Sequence, residues 1–195
     1  MAKPTSCSEI SAMKYDCVDF ALWLSSGWTD SSNMATSERE LINLLALQPH
    51  PEGGFYAESF RSPRQLNFPE GRIRSACSVI FFLLPSGDFS ALHRVDSDET
   101  WNYYDGAPLE MTILHPSGEI KTVILGRNLS AGERFHHVVP AGHWQGARPT
   151  GSGYSLVGCT VAPGFDFADF EMPDRDTLLR LFPQNREAIL ALTRE

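Results

Sequence analysis

The segment SALHRVDSDETWNYYDG, residues 90–106, decides the fold of this protein. It places His93 six positions before Glu99 and closes on Gly106 after six intervening residues. A second segment, PAGHWQ at 140–145, carries a Pro-x-Gly turn that is followed, after two residues, by Gln145. Because side chains alternate between the two faces of a strand, we expect His93 to point inward from one strand and Glu99, with Trp101, from another.

Short apolar segments punctuated by glycine and proline surround these motifs. They favour a sandwich or barrel over βαβ units, and residues 116–119 predict a hairpin turn. Ser37 and Glu40 form a capping-box pattern that predicts a helix, with Leu41, Leu44 and Leu45 on its apolar face. The predicted strands cover residues 55–61, 78–84, 100–104, 109–115, 120–125, 135–139, 143–148 and 154–161, and helical stretches follow at 176–182 and 186–193.

The two motifs resemble those of the cupins, in which His-x-His, a glutamate and a glycine precede a Pro-x-Gly-x-x-His segment. Three segments, PHPEGGFYAES at 49–59, HRVDSDETW at 93–101 and VPAGHWQGA at 139–147, are similar to the DUF985 subfamily. The resemblance covers roughly residues 37–195. It implies an all-β fold, a double-stranded β-helix (jelly-roll) barrel with a few peripheral helices. We therefore predict a cupin domain at 36–195 and an N-terminal extension at 1–35.

Charge and composition restrict the partners of the protein. A net charge of −8 argues against nucleic acid and anionic membranes, because both attract basic surfaces. The sequence has no apolar run of 18 residues and no CxxC pair, and its N-terminus does not resemble a secretory signal. These features predict a cytoplasmic protein. The resemblance further implies a homodimer.

The metal ligands of the family are incomplete here. Metal-dependent cupins bind their ion with three histidines and a glutamate, whereas this sequence has Val95 and Gln145 at two of the histidine positions. The resemblance therefore implies either no cofactor or a weakly bound divalent metal, held by His93, Glu99 and Gln145. Structural roles for Glu99, such as pairing with Arg94, stay open beside this one.

The remaining residues suggest chemistry without a metal. Imidazole suits proton removal next to a carbonyl, so His93 is a candidate base, with Tyr103 or Tyr154 as the acid. By analogy with metal-free epimerases on the same fold, we expect an isomerase- or epimerase-like enzyme acting on a sugar or sugar nucleotide. Arg61, Arg74 or Arg94 can hold a phosphate or carboxylate. The predicted substrate-binding residues are Glu99, Trp101, Gln145, Arg61 and Ser78.

Two other functions remain open. A cupin that has lost its metal site can be a non-catalytic module that binds a small, polar, sugar-like molecule. A weak metal-dependent enzyme that uses His93, Glu99 and Gln145 is the other. His50 lies near a turn, and we predict that it is solvated.

Overall fold

The computed structural model describes residues 36–194, so the predicted extension at 1–35 lies outside the described residues. The described chain alternates short strands with tight turns and carries its helices at the two ends. Its elements are α1 (Glu38–Leu44), β1 (Gln48–Pro49), β2 (Phe55–Arg61), β3 (Gln65–Asn67), β4 (Ile73–Ser75), β5 (Ser78–Leu84), β6 (Ser90–Val95), β7 (Asp98–Gly106), β8 (Leu109–Leu114), β9 (Ile120–Leu125), β10 (His136–Val139), β11 (Trp144–Pro149), β12 (Ser155–Ala162), β13 (Phe170–Glu171), α2 (Arg175–Leu181) and α3 (Arg186–Ala191).

Eleven strands of the described chain form two antiparallel sheets that pack face to face, and β3 and β4 form a separate two-stranded sheet. One sheet has the order β1-β2-β5-β12-β7-β10, and the other has the order β13-β6-β11-β8-β9. Their inner faces share one hydrophobic core, to which Phe82 and Trp101 contribute from the first sheet and Met111 and Ala147 from the second. This arrangement confirms the predicted all-β jelly roll with peripheral helices.

The predicted strands are reproduced, and three of them (β2, β5 and β9) have the expected bounds. The prediction set no bounds for β6, and it missed β1, the β3–β4 hairpin and β13, which pairs with β6 through Phe170 and Val95. Strands of two or three residues are too short to show the alternation by which strands are recognised.

The helices cover the outer faces of the sheets. Ser37 and Glu40 form the predicted capping box at the start of α1. Leu41 and Leu45 pack against the outer face of the six-stranded sheet, but Leu44 is 76% exposed, so its predicted place on the buried face of α1 is wrong. A helix of two turns is too short to bury every leucine of a broad apolar stripe. None of the helices within residues 36–194 is long and apolar enough to cross a membrane. The cytoplasmic location stays a prediction.

Two glycines fix the motif turns. Gly106 has a φ of +91° and lies directly against the backbone carbonyl of Tyr154, so a side chain there would clash as well as strain the backbone. Gly142 has a φ of +75°, and its N–H donates to the carbonyl of Val95. The motif glycines therefore set where β7 ends and how β11 begins beside β6.

Candidate functional site

A cavity of about 320 Å³ lies between the two sheets. Ser78 on β5 and Glu99 on β7 line it from the six-stranded sheet, whereas His93 and Val95 on β6 line it from the five-stranded sheet. The segment after β12 forms a further wall. The two strands of the first motif, β6 and β7, therefore face each other across the barrel.

Gln145 connects the two sheets beside this cavity. Its side chain is fully buried, and its Nε2 lies 2.5 Å from Oε2 of Glu99 and 3.3 Å from Nε2 of His93. Its Oε1 accepts a hydrogen bond from Nε1 of Trp101 at 3.0 Å. Because an indole N–H donates and does not accept, this bond fixes the carbonyl end of Gln145 toward Trp101. The amide N–H groups therefore face His93 and Glu99.

The protonation of His93 follows from its other contact. Its Nδ1 lies 2.8 Å from the carbonyl oxygen of Ala91, which accepts and cannot donate, so Nδ1 carries the proton. Nε2 is left with a lone pair that accepts from Gln145. Burial lowers the pKa of His93, and the imidazole is therefore neutral at pH 7.

Glu52, which the sequence analysis missed, completes the polar group. It lies in the turn between β1 and β2, is 5% exposed, and accepts a hydrogen bond from Oγ of Ser90 at 2.8 Å. Its Oε2 is 3.4 Å from Nδ1 of His93 and also 3.4 Å from Nδ1 of His50. The signal available in the sequence was the PHPEGG segment, a family motif that contains an acidic residue.

Burial raises the pKa of two carboxyls in the cavity, those of Glu52 and Glu99, to about 7. Loss of hydration is the largest cause for Glu52 and for Glu99, and the charge of Glu52 adds to the effect on Glu99. Nearby His93 acts in the opposite direction on Glu99. Two carboxyls that titrate near neutrality therefore lie on either side of one neutral imidazole.

His50 is not solvated as predicted, so that expectation is wrong. Its side chain is 7% exposed, and its ring meets Tyr56 edge-on at 4.6 Å between centroids and stacks on Phe167 at 6.3 Å. The turn that follows β1 folds over the cavity, which buries a residue that looks exposed from sequence alone. Burial also lowers the pKa of His50.

Three phenylalanines form a lid over the cavity. The lid is the segment of residues 165–171, and it carries Phe165, Phe167 and Phe170, whose rings meet edge-to-face at 5.0–6.0 Å. Phe170 also stacks on His93 at 5.4 Å. The sequence analysis missed this wall because the lid contains a two-residue strand and a short 3-10 turn in place of a recognisable element.

Ionic contacts hold the lid in place. Nε and Nη2 of Arg74 donate to the two carboxylate oxygens of Asp169 at 2.6 and 2.8 Å. Arg94 pairs with Glu171 at 2.8 Å, so its partner is not Glu99. These two arginines, candidates for holding a substrate anion, therefore bind the lid.

Arg61 and Ser78, predicted to bind substrate, both line the cavity. Arg61 donates to both carboxylate oxygens of Glu58 at 2.6–3.1 Å and to the carbonyl of Phe165 at 2.9 Å. Oγ of Ser78 accepts from the backbone N–H of Phe165 at 2.9 Å. Both side chains therefore fix the start of the lid.

The structure does not bring Tyr103 and Tyr154 to the cavity. Tyr103 donates to the carbonyl of Gly106, and Tyr154 donates to Oδ2 of Asp105 at 2.9 Å. Tyr103 shares an inward row with Glu99, but at about 3.3 Å per residue it lies about 13 Å further along β7. Trp101 also stays behind the cavity wall, where it acts through Gln145.

The side chains at the family's metal position do not fit a divalent ion. Gln145 presents N–H groups, which are donors, toward His93 and Glu99, and its oxygen faces the opposite way. Val95 offers no ligand atom at the second position. Within residues 36–194, no cluster of three or more His, Cys, Asp or Glu side chains is arranged to hold a metal. A catalytic metal generally needs three protein ligands, and two remain here.

Two facing antiparallel sheets with both motifs on their inner strands define a cupin barrel. Residues 39–173 match the family described as "Cupin superfamily (DUF985)", and the chain belongs to that family. The solved structure of a hypothetical protein from Leishmania major is 35% identical, with 82% of this chain and 99% of that chain covered and a TM-score of 0.77.

Two further relatives extend this comparison. A protein from Shewanella oneidensis is 40% identical, with 81% of this chain and 98% of that chain covered and a TM-score of 0.76. An uncharacterised protein of Saccharomyces cerevisiae is 27% identical over 173 residues, which are 80% of this chain and 85% of that protein. Neither description names an activity.

Proposed function

We propose that this cupin is a metal-independent acid–base enzyme, isomerase- or epimerase-like, that acts on a small polar ring such as a sugar. The observation that carries the proposal is the position of Glu52 and Glu99 in the cavity, on either side of His93. Both carboxyls are buried, and both have a pKa of about 7.

A pKa near the working pH is what general acid–base catalysis requires. A group that is half protonated at pH 7 serves as a base in one form and as an acid in the other. Paired carboxyls in which one is protonated while the other is ionised divide these two roles in several enzyme classes. We therefore assign proton removal and proton return to Glu52 and Glu99.

In this proposal His93 positions the carboxyls and does not serve as the base predicted from the sequence. Its Nδ1 is bound to Ala91 and its Nε2 to Gln145, so both nitrogens are occupied. Its lowered pKa also makes it the weaker base. His93 contacts Gln145, and Gln145 donates to Glu99. The imidazole therefore fixes the position of Glu99 relative to Glu52.

The lid suits a ring-shaped substrate. Phe165, Phe167 and Phe170 present apolar surface opposite the carboxyls, which is the usual composition of a small-molecule site. Covering the carboxyls with aromatic rings also excludes water, and this strengthens their electrostatic interactions with a substrate.

Exchange of carbon-bound hydrogen with solvent tests the proposal. Aldoses, ketoses and amino sugars are incubated with the protein in D2O and EDTA, and deuterium incorporation is followed by NMR. We expect incorporation into at least one sugar, with Glu52→Gln and Glu99→Gln slowing it by a factor of about 100 or more. Glu110→Gln, on the outer face and paired with Arg148, should retain the wild-type rate. Unchanged exchange in the double Glu52→Gln/Glu99→Gln variant would contradict the proposal.

A non-catalytic binding module is the second candidate. The amide of Gln145 pairs with Trp101, Glu99 and Nε2 of His93, and Nδ1 of His93 pairs with the carbonyl of Ala91. Because these groups are already paired, they form a fixed wall, as expected of a pocket that only holds a ligand. Extraction of a tightly held ligand that the protein leaves chemically unchanged would support this function over catalysis.

We also propose that the protein is a homodimer that pairs through the outer face of the six-stranded sheet. Phe60, Tyr104 and Val138 point outward from three strands of this sheet and are 44–46% exposed. Light scattering should give twice the mass of one chain, and Val138→Lys should reduce it to that of a monomer.

A further inference from the structure

The charges that line the cavity are predominantly acidic. Within residues 36–194 the lining contains Glu52, Glu58, Glu99 and Asp166 but a single arginine, Arg61, and no lysine. The two histidines of the lining, His50 and His93, have pKa values lowered by burial, so they add no positive charge at neutral pH. The lining therefore carries more negative than positive charge.

The single arginine is already paired. The Nε and Nη2 atoms of Arg61 bind both oxygens of Glu58, and Nη1 binds the carbonyl of Phe165. These contacts use the guanidinium face that a phosphate would need for a bidentate bond. The Arg61–Glu58 pair is electrically neutral, and Asp166 lies 3.8 Å from Nη1 of Arg74, which stands outside the lining. Glu52 and Glu99 are therefore the two acidic side chains of the lining that no arginine or lysine of the described chain neutralises.

Aromatic rings surround these carboxyls. Phe165, Phe167 and Phe170 form the lid, and Tyr56 and Phe82 lie across the cavity around His50. Aromatic faces attract cations, and the attraction grows where water is excluded. Buried carboxylates also require a positive partner, since an unpaired buried charge is costly. A cavity with both features is complementary to an ammonium group.

We propose that the ligand of this cavity is a single-ring molecule that carries a protonated amine and no phosphate, with the ammonium between the cavity carboxylates and the aromatic lid. This inference rests on the proposed function, because it names the substrate class of the same site. It narrows the predicted substrate from a sugar or sugar nucleotide to an amine-bearing ring of sugar size. The volume of about 320 Å³ agrees, because it is at the small end for ligand pockets.

Three probes with one ring and different charges test the inference. Cyclohexylamine, cyclohexanol and cyclohexanecarboxylate are titrated into the protein at pH 8 by calorimetry, where an alkyl amine stays protonated. We expect cyclohexylamine to bind about ten-fold or more tightly than cyclohexanol, and the carboxylate to bind most weakly. Equal affinities, tighter binding of the carboxylate, or no binding of any probe would overturn the inference.

Variants place the binding in this cavity. Glu52→Gln and Glu99→Gln should each remove most of the preference for cyclohexylamine over cyclohexanol, since glutamine keeps the shape of the side chain and removes its charge. Glu110→Gln, at an outer-surface carboxylate, should keep the full preference. The double Glu52→Gln/Glu99→Gln variant is first shown by circular dichroism to fold normally. If it still prefers the amine, the inference is contradicted.

The outcome is separate from that of the proposed catalysis. Selective amine binding without deuterium exchange would support the ligand class and contradict the enzyme. Exchange into neutral sugars without amine selectivity would do the reverse.

Discussion

The amide nitrogen of Gln145 lies 2.5 Å from the carboxylate of Glu99 and closes the space in which a cupin metal would be bound. The same nitrogen is 3.3 Å from Nε2 of His93. A donor group thus contacts both remaining members of the metal-ligand set. Trp101 keeps the amide in this orientation, so the residue that replaces a histidine also removes the geometry that the other ligands need.

Replacing the amide should create metal affinity. Gln145→His would place two imidazoles and one carboxylate around a common point, the ligand set of non-haem iron sites. We expect elemental analysis to find sub-stoichiometric metal in the wild type and a clear gain of bound divalent metal in Gln145→His.

The double variant Gln145→His/His93→Ala is the control, because it contains the new histidine but lacks the second nitrogen ligand. Stoichiometric metal in the wild-type protein would show that Gln145 does not prevent binding.

The bond from Trp101 to Gln145 should contribute to stability. Trp101→Phe deletes the indole N–H and leaves the buried carbonyl oxygen of Gln145 without a donor, at a cost of about 1–3 kcal/mol beyond the loss of packing. Trp144→Phe is the matched control, since Trp144 is also buried but packs under Arg94 in place of this bond. Chemical denaturation measures both, and equal destabilisation would mean that the hydrogen bond contributes little.

The carboxyl of Glu99 should make stability depend on pH. Its pKa is raised to about 7 in the folded protein, so the folded state binds the proton more tightly than the unfolded chain does. The free energy of unfolding therefore falls as pH rises from about 4.5 to about 7. Glu99→Gln does not lose stability in this way. Between pH 5 and pH 8, its free energy of unfolding should therefore rise by on the order of 2 kcal/mol relative to that of the wild type.

Denaturation at the two pH values tests this sign. The buried neutral histidines make both proteins less stable toward low pH. The contribution of His50 cancels in the comparison, whereas that of His93 does not, because the charge of Glu99 raises the pKa of His93. A relative stability of Glu99→Gln that is constant with pH would mean that Glu99 has an ordinary pKa.

The pair Arg74–Asp169 should hold the lid closed. Both side chains are mostly buried, at 13% and 9% exposure, so their bidentate bond is shielded from water. Asp169→Asn should raise hydrogen exchange of the backbone amides at 165–171, as measured by mass spectrometry. Glu171→Gln breaks the more exposed pair with Arg94 and should have a smaller effect. Equal exchange in the two variants would show that burial of the pair is not what secures the lid.

The fold could be predicted because its determinants are local. The spacing of His93, Glu99 and Gly106, the Pro-x-Gly turn, and the short apolar runs between turn residues all lie within short segments. The loss of two metal ligands was also visible, since Val95 and Gln145 occupy defined motif positions. What could not be read was the direction of the Gln145 amide, because Trp101 sets it from the opposite sheet.

By itself, the sequence determined the jelly-roll barrel, its two motif strands, and the inward positions of His93 and Glu99. The jelly-roll barrel follows from the resemblance of the motifs to those of the cupins, and the inward positions follow from period-two alternation along short strands. Only the tertiary structure decided that Glu52 and the lid complete the cavity, and that Tyr103, about 13 Å from Glu99 along β7, lies outside it. The physical reason is that burial and charge depend on side chains brought together from distant segments, and these contacts leave no local pattern.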